Sequence, residues 1–143
     1  MKTWVAMYLI IWLSFIQILF VLYSPMGSDL LTIAVHLPLG LAIFALAYYI
    51  SVKVQASGCP VRIKKTTRAT RNFALLQGII GLIYAVAISY EFDDLYLWII
   101  SFVHVAIALT IISQASSTAT GYDMWEEKEF GEPPVTAPAA AKA

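Results

Sequence analysis

Apolar positions in this chain do not alternate with polar ones. They gather in four unbroken runs, residues 4–23, 30–52, 73–90 and 95–113, and none of the four holds an Asp, Glu, Lys or Arg. A helix needs ~20 residues to cross a hydrocarbon core of ~30 Å, so each run is long enough with little tilt. Inside lipid the backbone must satisfy its own hydrogen bonds, which leaves helices or a closed barrel. Runs without alternation exclude the barrel. The pattern predicts an all-α protein whose four helices cross the membrane.

The polar stretches between the runs order these helices. The intervals 24–29 and 91–94 are short and predict two antiparallel hairpins. The interval 53–72 is longer and carries the turn signal Ser57-Gly58-Cys59-Pro60. An up-down-up-down four-helix bundle over residues 1–114 follows. Beyond it the chain turns small and polar, then acidic over 123–132, then rich in Pro and Ala to residue 143. That composition predicts a solvated tail over 115–143 without regular structure. The first run exceeds a signal-peptide core and lacks a small-residue cleavage site, so it is expected to remain in the protein.

Charge sets the orientation. Lys2, Lys53, Arg62, Lys64, Lys65, Arg68, Arg71, Lys128 and Lys142 all fall on one side of this scheme. The other side has Asp29, Glu91, Asp93 and Asp94 and no basic residue. The positive-inside rule then places both termini and the 53–72 loop in the cytoplasm, with the chain in the cell (inner) membrane. Tyr23, Tyr90, Tyr96 and Trp98 gather near the outer interface and Trp4 near the inner one, as amphipathic rings do.

Composition narrows the function. The chain has 143 residues, 60% apolar and 13% charged, against about 25% charged in an ordinary soluble domain. Its formal net charge is zero, and it offers nucleic acid no continuous basic face. The single cysteine, Cys59, excludes an internal disulfide and any CxxC motif, and it reads as an inert loop thiol.

Both histidines of the protein, His36 and His104, lie inside apolar runs. Polar groups at membrane depth are costly and generally have a partner or a function. By rise per residue, His36 and His104 lie roughly 9 and 14 Å below the outer boundary. Their helices, the second and fourth, run parallel on a diagonal of the bundle, ~13 Å apart when neighbouring axes are 8–10 Å apart. Two imidazoles reaching inward across that gap suit opposite faces of one flat macrocycle, and haem iron takes histidine as an axial ligand. Gly40, one turn below His36, and Gly81, at the depth of His104, are expected to leave room for the ring. Ser101, one turn before His104, and Gln17 are expected to hydrogen-bond a ligating imidazole or a propionate. Pro38 removes an amide from the ladder and is expected to bend the helix near His36. Plainer readings stay open: histidines and Gln17 as interhelical hydrogen-bond partners, and glycines as packing positions. Zinc, or iron held by side chains alone, is poorly served by two histidines without carboxylate or thiolate.

Three segments carry a resemblance: His36-Leu-Pro-Leu-Gly40, Leu76-Gln77-Gly78-Ile-Ile-Gly81 and His104-Val-Ala-Ile-Ala-Leu. Together they resemble one four-helix half of the heme A synthase family, and the layout is similar to small b-type membrane cytochromes. The likeness covers about residues 30–114. It implies His36 and His104 as haem ligands and Gln77, Gly78 and Gly81 as pocket or packing positions. The family's catalytic half has a glutamate three residues before the helix-2 histidine and a cysteine pair in an outer loop. This chain has Ile33 there, no cysteine in 24–29 and no second bundle, so the resemblance implies the scaffold without the hydroxylating reaction.

The expected function is therefore electron transfer through heme b, since two protein ligands fill both axial positions. Quinol or a respiratory or photosynthetic membrane complex is the expected partner. The outer side lacks Lys or Arg for propionates, leaving hydroxyls such as Ser28 and Tyr90, water or another subunit to serve. A cofactor-free accessory subunit of a larger complex is the alternative. No buried carboxylate or cation lines a path for ion transport.

Overall fold

The computed structural model describes residues 2–23 and 30–130, with side chains of the second stretch from Ala34 onward. The 24–29 loop with Ser28 and Asp29, the Ile33 side chain and the Pro/Ala-rich end lie outside the described residues. The elements are α1 (Thr3–Tyr23), α2 (Leu30–Ala56), α3 (Val61–Ser89) and α4 (Asp94–Phe130), with no strand among the described residues. All four are long and apolar enough to cross a membrane.

Each helix packs against two others and leaves the third across a diagonal: α1 and α3 both touch α2 and α4, while α2 and α4 face each other across the centre. Successive helices are antiparallel. As α3 advances from Ile63 through Thr70 to Gly81, its neighbours on α4 retreat from Gly121 through Gln114 to His104.

Two helices are longer than their apolar runs. α3 begins at Val61, so most of the expected 53–72 loop is helical and the α2–α3 connection shrinks to residues 57–60. α4 continues to Phe130, correcting the expectation of an irregular tail from residue 115. Hydropathy marks where lipid ends, and the hydrogen-bond ladder continues wherever good helix formers follow. Lys, Arg and Ala are such residues in 61–72, and Ala, Glu and Lys in 114–130. Packing contributes as well, because Ala115, Thr118, Ala119 and Tyr122 recur at helical spacing and are all buried.

Both described turns have specific closures. Pro60 precedes α3 with its ring-fixed φ, and Ser57 Oγ donates to the Val54 carbonyl at 2.8 Å. Gln55 ties the two helices: its Nε2 donates to the Lys64 carbonyl, and its Oε1 accepts from Arg68 Nη2, both at 2.8 Å. Cys59 is buried beside the Val54 carbonyl, 3.7 Å from its Sγ. At the other end Glu91, with φ of 52°, closes α3: its N–H reaches Ile88 O and the Phe92 N–H reaches Ala87 O, each at 3.1 Å. Asp93 Oδ1 then caps α4 by accepting from the Leu95 N–H at 2.8 Å.

The close-packed core lies toward the basic end of the bundle. It joins Met7 and Ile10 of α1, Ile43, Ile50 and Val54 of α2, Ala74 of α3, and Ile111, Ala115 and Tyr122 of α4. Toward the other end, beyond Ser14, Ile43, Ala74 and Ala108, Ala87 is the one fully buried side chain among those described. Among the described residues the fully buried side chains are thus concentrated in one half, and few lie in the half that contains the histidines.

Candidate functional site

His36 and His104 come together across the α2–α4 diagonal. Their ring centroids are 6.0 Å apart and their planes are inclined at 38°. The Nδ1 atom of each is buried with no hydrogen-bond partner among the described residues. Neighbouring polar groups usually satisfy such atoms, because a buried unpaired donor or acceptor costs about 1–3 kcal/mol. Two unpaired ring nitrogens this close are the main chemical feature of the bundle interior.

Gln17 meets α2 at its backbone. Its Nε2 donates to the His36 carbonyl at 2.8 Å, rather than to the imidazole as the sequence suggested. Gly40 permits this. A Cβ at Gly40 would lie 3.4 Å from Gln17 Nε2, so the space expected for a macrocycle edge is occupied by the amide. Pro38 lies inside α2 without ending it.

Gly81 serves His104. A Cβ there would stand 3.2 Å from His104 Cε1 and 3.9 Å from Nδ1, so the imidazole itself fills the gap left by the missing side chain. Gly78 has nothing within 4 Å of its Cβ position and faces outward, which removes it from the pocket. Gln77, one turn before Gly81, is half-buried, and its Oε1 is enclosed without a partner. Ser101 is half-buried and makes no hydrogen bond among the described residues.

The structure thus brings His36, His104, Gln17, Gly40 and Gly81 into contact in two groups, each a histidine supported by a neighbouring helix. Sequence reasoning missed the interior polar groups of the basic end. Ser51 is fully enclosed with its Oγ unpaired, and Thr70 Oγ1 bonds Gln114 Oε1 at 3.2 Å, joining α3 to α4. A hydroxyl inside an otherwise apolar helix was the available signal.

The donor set narrows what the site can hold. Among the described residues no three His, Cys, Asp or Glu side chains converge, so side chains alone do not complete a tetrahedral site. A macrocycle-bound iron asks the protein for two axial nitrogens only. Two neighbouring imidazoles, each with an orphaned Nδ1, are a donor set of the type that haem iron takes. Comparison with family models, curated proteins and solved structures finds no match.

Proposed function

We propose that this chain is a one-haem membrane cytochrome of the b type, in which His36 and His104 would hold heme b. The observation that supports the reading best is the approach to 6.0 Å, across a diagonal, of two imidazoles whose Nδ1 atoms have no partner among the described residues. Held by two histidines, haem iron supplies one-electron transfer and offers no open position for oxygen. The protein's part is to aim and shield. Gln17 fixes the α2 backbone at His36, and Gly81 admits the His104 ring against α3. The close-packed basic half closes the interior toward the other side.

On this reading both termini and the basic end are cytoplasmic, and the histidines lie in the outer half of the inner membrane. Electrons would then be exchanged near the outer face, with quinol or with a neighbouring subunit of a larger membrane complex. The relationship to the heme A synthase half-bundle extends to the ligands and the scaffold.

Purified chain supplied with haem should bind one equivalent and give a reduced-minus-oxidised spectrum with a sharp alpha band. A protein that stays colourless with haem in excess excludes the cytochrome and leaves the cofactor-free accessory subunit.

A further inference from the structure

We propose that the first three turns of α3 form a headgroup site for anionic phospholipids in the leaflet flanking the basic end. Residues Arg62, Lys64, Lys65, Arg68 and Arg71 fall within this stretch of α3. Helical rotation places Ile63, Thr67, Thr70 and Ala74 toward the bundle, where Thr67, Thr70 and Ala74 are buried. Arg62, Lys65 and Arg68 lie on the exposed arc, and Lys64 and Arg71 are half-buried at the flank of the buried stripe.

None of the five pairs with a carboxylate among the described residues. Arg68 bonds Gln55, and Arg71 bonds Asn72 Oδ1 at 2.9 and 3.2 Å, so two of the guanidinium groups are steadied by neutral amides. The reason lies in how acidic residues are placed. Described α1, all of α2 and all of α3 contain no Asp or Glu, and α4 has none between Asp94 and Asp123. Gly121 lies beside Ile63, so Asp123 stands level with the start of α3, and Glu126, Glu127 and Glu129 continue past it, away from the apolar spans. At the boundary of the spans the protein therefore presents positive charge alone, and the acidic groups stand further out.

Continuity with the span says what covers this face. The apolar run of α3 begins at Phe73, directly after Arg71, and Arg62 lies roughly 14 Å beyond Arg71 along the axis. Headgroups extend about 5–7 Å past the hydrocarbon on each side, and long Lys and Arg side chains bend back toward them. Arg71, Arg68, Lys65 and Lys64 thus come within reach of lipid phosphates, where basic clusters next to a transmembrane helix attract anionic lipid.

The test uses the full chain reconstituted in bilayer discs of phosphatidylcholine with a minority of phosphatidylglycerol. Native mass spectrometry then counts the lipids retained on the released protein. Phosphatidylglycerol should be enriched several-fold over its share of the mixture. The variant K64Q/K65Q/R71Q should return to the mixture ratio, while K128Q keeps the enrichment. Raising salt from about 50 to about 500 mM should reduce it in the unaltered protein, which tests the site even where the triple variant fails to fold. Inorganic phosphate should not displace the retained lipid. Absence of enrichment in the unaltered protein, or enrichment unmoved by both salt and the triple substitution, overturns the proposal. Equal displacement by inorganic phosphate or by an oligonucleotide does so too.

Discussion

A Cβ atom on Gly81 would lie 3.2 Å from Cε1 of His104, closer than nearly all side-chain contacts of that kind. The glycine is therefore a seat for the imidazole, and the position of the ring depends on a side chain that is absent from the facing helix. Gly78, one turn away on α3, has open space at the same atom. The two glycines make a matched pair for experiment.

Gly78→Ala should stabilise the bundle by about 0.5–1 kcal/mol, since alanine restricts the unfolded chain without meeting a neighbour. Gly81→Ala should instead destabilise it by about 1–3 kcal/mol, the usual cost of overpacking. Thermal unfolding in detergent distinguishes the two. Equal gains from both substitutions would show that His104 does not rest on Gly81.

Gln17→Leu removes the bond to the His36 carbonyl and leaves the span more apolar. Interhelical hydrogen bonds in membranes are worth about 0.6 kcal/mol on average and at most about 1.7. A loss in that range is expected in an unfolding titration, together with weaker haem retention because the α2 backbone at His36 is no longer tied. Unchanged stability and haem retention would remove Gln17 from the site.

Ending the chain at Gly121 should damage the bundle, although composition alone marks the stretch after residue 114 as a separable tail. Tyr122 is 6% exposed, and its ring meets Trp125 with centroids 5.3 Å apart. Truncating a buried aromatic side chain costs about 3–5 kcal/mol. The unfolding midpoint of the shortened protein should fall, and Tyr122→Ala in the full chain should reproduce most of the fall. A shortened protein as stable as its parent would place Tyr122 outside the core.

What was legible in the sequence was whatever lipid dictates. The four runs follow from apolar stretches that exclude charge, and α1, the start of α2, the end of α3 and the start of α4 fall within a residue or so of their expected positions. What was not legible was the helix outside the apolar stretches. Residues 62–71 and 115–130 read as polar connection and tail because charge marks the end of an apolar span, not the end of a helix. Their helical spacing of Thr67, Thr70 and Ala74, and of Ala115, Ala119 and Tyr122, carries the packing signal. The spaces at Gly40 and Gly81, expected to admit a macrocycle, are taken by Gln17 and His104. Such side-chain pairing depends on helix rotation, which a run without amphipathic periodicity does not reveal.

The orientation can be read with a membrane-impermeant thiol reagent. Native Cys59 is buried and should give little background. Asp93→Cys should label in intact cells, and Lys65→Cys should label only after the membrane is opened. The reverse pattern would invert the bundle and move the histidines to the cytoplasmic half.

The central claim is that His36 and His104 share one iron, and low-temperature electron paramagnetic resonance of the oxidised, haem-supplied protein tests it most directly. The account predicts a low-spin ferric signal from the parent. His36→Ala and His104→Ala should each abolish it, leaving a high-spin signal or no haem, and a five-coordinate variant should bind carbon monoxide where the parent does not. A low-spin signal that survives either single substitution, or a parent with no haem signal at all, would contradict the claim.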